Sequence, residues 1–362
     1  MNEIDSSTFV SMIKWSLLFV ALLAGCQRSD GNSTADASAT KGSFLENPDC
    51  FYRNYDHVFA LNGPEAVPAD AAELTDESEV LGICVDGVAR AYWIPAMYHH
   101  HLANDMLGDT PVVVTYCGHY SCGSAYLATV NEEPQVFGIA GAWQGMLLLY
   151  DEATRSEWLQ GSGHSIRGDF SGQQLERLPV VHTTWKRWKE AYPETSVVLG
   201  NPNDPRYPAD TQAKRGDAEK SPALARTVHM KDGQLPPTEM VFGIAMGCDA
   251  EQGGPVAKAY SLAKLAAGPA VTTDQIGSLP VVLFYDAESN SAVGFQRTIG
   301  DETLEFEPRG ESHFASSDGS VFDWLGRCIA GKYAGQQLPQ LPGYQSEWLG
   351  WLVTCPETEL VK

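Results

Sequence analysis

Four histidines and two cysteines fall within 24 residues of this chain, in Tyr98-His99-His100-His101 and Cys117-Gly118-His119-Tyr120-Ser121-Cys122. Thiolate and imidazole are the ligands of tetrahedral Zn²⁺, and soft sulfur also suits Cu(I). On that reading Cys117 and Cys122 are metal ligands, with His99, His100, His101 and His119 as the candidate imidazole donors. If the His run is a strand, His99 and His101 share one face and His100 takes the other, so either the outer pair or His100 alone can join the sulfurs. Asn104 and Asp105 follow closely enough to act as partners that fix imidazole tautomers.

The same residues support other chemistry. The pair could be a thiol redox site. Cys117 could be a nucleophile with His100 as its base, its thiol lowered from about 8.5 by an imidazolium. Backbone N–H groups of Gly118–Ser121 would then form an oxyanion hole. Both active readings expect the cysteines exposed at a turn, and a buried, unreactive Cys117 would remove them. A structural reading makes Cys117–Cys122 a disulfide staple worth about 2 to 3 kcal/mol for so short a loop. A last one sets sulfur aside and offers Trp143, Trp158 and Tyr120 as stacking surfaces for a glycan or a protein.

The elements that must position these groups are short strands. Val80–Val85 and Val88–Ile94 flank Asp86-Gly87, a strong hairpin signal. Segments 112–116, 125–130, 136–140 and 146–150 follow, broken by turns such as Asn131-Glu-Glu-Pro134. The expected fold is mainly β, with α+β as the variant. Thr184 is placed to cap a helix running to Tyr192, where Pro193 stops it; Trp185, Trp188 and Tyr192 lie on one face.

The chain also repeats itself. Gly172-Gln-Gln-Leu175 recurs as Gly335-Gln-Gln-Leu338, and Trp185-x-x-Trp188 with Pro193-Glu-Thr recurs as Trp348-x-x-Trp351 with Pro356-Glu-Thr, at one offset of 163 residues. Two tandem antiparallel pseudo-repeats are therefore expected, 46–200 and 238–362, each ending in a short Trp-bearing helix and joined by a linker at 201–237. Where the first copy has Tyr116-Cys117 the second has Tyr285-Asp286, and Tyr98–His101 corresponds to Ala266–Pro269. Shared positions hold the fold, and unshared ones point to function.

These motifs resemble a prokaryotic family catalogued as domain of unknown function family 3179. Its pattern joins an Asn-Trp-His-Glu-x-x-Asn-Asp segment to Thr-Tyr-Cys-Pro-x-Cys-Gly-Ser and a closing Trp-x-x-Trp. The resemblance places the family His on His100, Asn-Asp on Asn104-Asp105, and the two cysteines on Cys117 and Cys122, and so favours His100 as the partner of the sulfurs. This chain departs in having His99 and His101 beside that His and four residues between the cysteines. The family implies fold and site location, not a reaction.

At the N-terminus, an apolar run from Trp15 to Gly25 is shorter than the roughly 20 residues a spanning helix needs. It ends in Leu23-Ala24-Gly25-Cys26, which looks like a lipoprotein processing site. Residues 1–25 are expected to be a signal peptide, Cys26 the lipidated residue, and 26–45 a flexible linker. Met12 is an alternative start. The expected location is the bacterial outer membrane facing the periplasm, with the bilayer as partner through acylated Cys26. Seven cysteines remain in an oxidising compartment, an odd number. Cys84 reads as core, His164 as a loop residue or a lining of the site, and Cys328 and Cys355 as able to pair. With 24 basic and 46 acidic residues, a formal charge of −22 repels phosphate backbones and makes nucleic acid an unlikely partner.

Overall fold

A computed structural model describes residues 41–53, 58–208, 221–246 and 257–361. Asp86 and Gly87 both take positive φ, 50° and 82°, as a tight two-residue hairpin turn requires. The turn folds strand Glu79–Val85 onto Val88–Trp93. Val181–Thr184 pairs on one side of this hairpin, and Ser196–Val198 on the other, parallel to Val88–Trp93. The second half builds the same order: Tyr344–Glu347, Met240–Ala245, Ala257–Ser261, then Glu359–Val361, again with the last pair parallel.

A three-strand meander follows in each half. In the first it is Leu102–Leu107, Thr110–Cys117 and Cys122–Leu127. In the second it is Val271–Ile276, Leu279–Asp286 and Ser291–Gln296. A further antiparallel sheet closes each half, comprising Phe137–Trp143, Met146–Asp151, Glu157–Leu159 and Ser165–Arg167 in the first, and four shorter strands from Phe306 to Ala330 in the second. The fold is mainly β, as expected, with a few short helices.

Thr184 accepts the Arg187 N–H and starts helix Trp185–Ala191, and Tyr192 ends it. The indole of Trp188 lies flat on the sheet where Gly82 has no side chain: a Cβ there would come within 2.2 Å of the ring. Gly243 and Trp351 repeat this contact at 2.3 Å. The two halves share their cores. Trp348, Trp351 and Leu352 are buried with Val112, Val113, Cys117 and Cys122, whereas Trp185 and Trp188 are buried with Phe284, Phe295 and Phe314. The described residues accordingly belong to one compact unit, residues 40–362.

Several expectations need correction. The histidine run is not a strand: Pro95 sits in the first turn of helix Ile94–His100, and His101 ends it in the left-handed region at φ 59°. The 26–45 linker is too long, because Lys41–Glu46 is helical and Phe44 and Leu45 pack on the core. The described part of the 201–237 linker is also packed. Leu224 is buried, Met230 and Leu235 lie against the core, and the backbone N–H groups of His229 and Met230 donate to Gln144. Isolated apolar residues do this without any periodicity to reveal it. The signal peptide at 1–25, the Met12 start and Cys26 lie outside the described residues, as does Cys248. Among the described residues no helix is long and apolar enough to cross a membrane.

Candidate functional site

Strands Thr110–Cys117 and Cys122–Leu127 form a hairpin whose last paired residues are Cys117 and Cys122, directly opposite each other. The loop between them closes with Ser121 at φ 50°. Both thiols are free, so the expected disulfide staple is not formed. Both are also buried, at 2% and 0% exposure, which corrects the expectation of thiols open at a turn. Burial follows from what covers the loop. The turn Trp143-Gln144-Gly145-Met146 lies over it, with Tyr120 Oη donating to the Gln144 carbonyl at 2.6 Å. From the other side, the Glu347 N–H donates to the Tyr120 carbonyl at 2.8 Å.

The two sulfurs face each other across the hairpin and shift each other's titration. Burial pushes the Cys117 thiol up, but the bond from Cys122 and those from the backbone N–H groups of Tyr120, Leu147 and His119 outweigh it, leaving Cys117 below the ordinary thiol value. Cys122 goes the other way: burial and its neighbour Cys117 hold it well above. The donors around the pair thus favour negative charge on Cys117 over Cys122. Cys50 and Cys84 lack such donors in number, and burial raises both. Cys122 Sγ further touches Met146 Sδ and Gln160 Oε1, each at 3.8 Å, and Cys117 Sγ lies 3.7 Å from the Gly145 carbonyl.

The imidazoles are arranged differently from expectation. His100, favoured as the partner of the sulfurs, is committed elsewhere: Nδ1 lies 2.7 Å from the Phe59 carbonyl and Nε2 2.9 Å from Tyr207 Oη. His99 stacks edge-on with His100 and faces Tyr207. The helix turn sends these two away from the hairpin, and His101 is the residue that turns toward it. Its Nδ1 is 3.3 Å from the Tyr116 carbonyl, and it feels the charge of His119 in the cysteine loop. Burial, reinforced by His119, drops His101 to about 3, so it is neutral and supplies no imidazolium to Cys117. Backbone N–H groups do that instead, which also occupies the donors expected to form an oxyanion hole. Among the described residues no three His, Cys, Asp or Glu side chains gather for a metal. The expected zinc set of Cys117, Cys122 and imidazoles is therefore not assembled.

Asn104 and Asp105 do not touch an imidazole. Asn104 bridges Asn62 and the Phe137 backbone, and Asp105 binds Arg90 and Tyr92. Asp274 holds Lys258 and Tyr260 in the same way in the second half, which marks the arrangement as architecture. Trp143, Trp158 and Tyr120 are all buried and offer no stacking surface. His164 forms a β-bridge with Gln174. Cys84 is half-buried beside Tyr192, less enclosed than a core residue. Cys328 is free whereas Cys355 is disulfide-bonded, so these two are not paired with each other.

Sequence reasoning missed four contributors: Met146, Gln160, Ser346 and Glu347. Ser346 bonds the Cys122 sulfur, and Glu347 Oε1 accepts from Ser121 Oγ at 3.1 Å. The repeat held a signal for Glu347. It stands at the offset of Thr184, where the first half has a helix cap and the second a buried carboxylate against the cysteine loop. No spacing rule points to Met146 or Gln160.

The family described as "Protein of unknown function (DUF3179)" matches residues 55–358. The chain belongs to this family. The match spans both halves and contains every residue of the site described above. No curated protein and no solved structure matches the chain.

Proposed function

We propose that the first half carries a dithiol redox centre in which Cys117 is the attacking sulfur and Cys122 the resolving one, on a lipoprotein held to the cell envelope through Cys26. One observation carries the redox reading: two free cysteines stand opposite each other in a hairpin register. Directly paired residues on antiparallel strands have Cα atoms about 4.5 to 5.5 Å apart, within the roughly 4.4 to 6.8 Å a disulfide spans. The strands need not move for the bond to form.

Burial selects the oxidant. Sulfurs covered on both sides shut out a folded protein disulfide, so this reading takes an oxidant of water-like size, hydrogen peroxide. Cys117 sulfur attacks the peroxide oxygen, forming S–O and breaking O–O. The departing hydroxide takes a proton and leaves as water. Cys122, giving up its proton, then attacks the Cys117 sulfur; S–S forms, S–O breaks, and a second water leaves. Two thiols and one hydrogen peroxide become one disulfide and two waters. The Cys122 proton leaves with the hydroxyl oxygen in that second water.

The likeness of strand order supports reading the halves as a duplication of which one copy keeps the chemistry. At the register of Cys117 and Cys122 the second half has Asp286 and Ser291, which cannot be oxidised in this way. The test is mass spectrometry of the full chain after stoichiometric hydrogen peroxide. A Cys117–Cys122 crosslink, reversed by dithiothreitol and lost in Cys122→Ser, is expected, with Cys50, Cys84 and Cys328 unchanged. Oxidation of those three at the same rate, with no crosslink, would refute the proposal. Globomycin-sensitive processing, lost in Cys26→Ser, is the corresponding check on the anchor.

A further inference from the structure

We infer that the reduced site is also a binding site for Cu(I), with Cys117, Cys122 and Met146 as its three ligands. This rests on the free dithiol of the proposed function but not on its oxidation. Cys117 and Cys122 stand directly opposite each other in the hairpin register, and Met146 Sδ lies 3.8 Å from Cys122 Sγ. Met146 is held there by its own strand, since the residues on either side of it also reach Cys117: the Gly145 carbonyl lies 3.7 Å from that sulfur and the Leu147 N–H donates to it. All three sulfur-bearing side chains are buried.

Sulfur spacing and donor softness decide the ion. Three sulfurs around a metal at about 2.3 Å in a plane stand about 4 Å from one another, and the observed Cys122–Met146 separation of 3.8 Å meets that spacing without rearrangement. Two thiolates and a thioether are soft ligands, which select Cu(I). Zn²⁺ asks for a fourth ligand, and the described residues bring no third Cys, His, Asp or Glu to the pair. The N–H groups of Tyr120, Leu147 and His119 would stay on the Cys117 sulfur and spread the charge left when two thiolates hold one monovalent ion, as supporting hydrogen bonds do at metal sites. Gln160, hydrogen-bonded through Nε2 to Thr115, stands at Cys122 on the side of Met146 and fixes the wall behind the ligands.

The experiment titrates the reduced full chain with Cu(I) under argon against bicinchoninate, following loss of the coloured competitor complex. One equivalent is expected to be withdrawn, with X-ray absorption reporting a coordination sphere of sulfur alone. Met146→Leu keeps the volume of the core and both thiols. It is expected to weaken Cu(I) binding about 10- to 100-fold, with a thiol count on the same variant showing that both cysteines are still present and reduced. No withdrawal of Cu(I) by the reduced protein, or equal affinity in Met146→Leu, overturns the inference while leaving the redox reading intact. Tight Cu(I) binding without any peroxide crosslink supports the copper site and refutes the redox centre.

Discussion

Gly350→Ala tests whether the second half is the far wall of the site. In an exposed helix this substitution stabilises by roughly 1 kcal/mol, because glycine has the most backbone freedom to lose. Helix Trp348–Thr354 is buried, however, and a Cβ on residue 350 would stand 2.5 Å from both Cβ and Cγ of Tyr120 and 2.8 Å from Ser346 Oγ. Tyr120 cannot easily give. Its hydroxyl is bonded to Gln144, its carbonyl takes the Glu347 N–H, and the side chain is 1% exposed. Overpacking of this kind costs about 1 to 3 kcal/mol, so the sign of the propensity gain is cancelled or reversed, for a net loss of up to about 2 kcal/mol. Because Tyr120 sits between the cysteines and donates its N–H to Cys117, the cost falls on the cysteine loop. The urea midpoint should drop, and crosslinking of Cys117 to Cys122 by peroxide should slow. A variant about 1 kcal/mol more stable than the parent, with crosslinking unchanged, would show that the helix only lies near the loop and does not shape it.

Asp286, which stands at the register of Cys117, is fully buried with Arg187 Nε at 3.1 Å and Nη2 at 2.9 Å. Asp286→Ala strands the guanidinium and should cost about 3 to 5 kcal/mol in a denaturant titration, with Arg187→Met in the same chain recovering most of it. Burial raises this carboxyl, but hydrogen bonds from Ser289, Ser312 and Arg187 outweigh it and hold it below the usual range. A depressed folded value means the stabilisation is full above the unfolded value of about 3.9 and is lost as pH falls through the folded one. Acid unfolding followed by circular dichroism should therefore be shallower in Asp286→Asn than in the parent below about pH 4; identical slopes would remove Asp286 from the account. Gly82→Ala and Gly243→Ala each drive a Cβ into an indole with no space to move, and each should destabilise by about 3 kcal/mol. A neutral result at either position would mean that the Trp contact is not tight there.

Much of the fold was legible because alternation and turn residues dominate short strands. Asp86-Gly87 could only be a tight turn, and Thr184 before Trp185 could only be a cap. The histidine run was misread because a strand leads into it and Pro95, in the first turn, was not weighed as a helix start. That single change of element exchanged the roles of His100 and His101. The cysteine pair was legible from its spacing, but its burial was not. The cover comes from Gly145 and Met146, more than 20 residues on, and from Ser346 and Glu347 in the other half, and no local pattern encodes such contacts.

The contrast between the halves gives the site its physical logic. Each hairpin tip is closed by the helix of the opposite half. Arg187 reaches Asp286 from the first half, and Gly350, at the same offset in the second, leaves room for Tyr120. A charged pair closes one tip and fixes it, since a buried carboxylate with a bidentate guanidinium cannot move without stranding a charge. At the other tip the guanidinium is absent, and Cys117 faces neutral N–H groups and a neighbouring thiol. Neutral donors would stabilise an anion there without neutralising it for good, as the proposed chemistry with a small electrophile or a soft ion requires. The second half thus supplies rigidity at its own tip and a wall at the other, and the proposed chemistry lies where the closing group is a glycine.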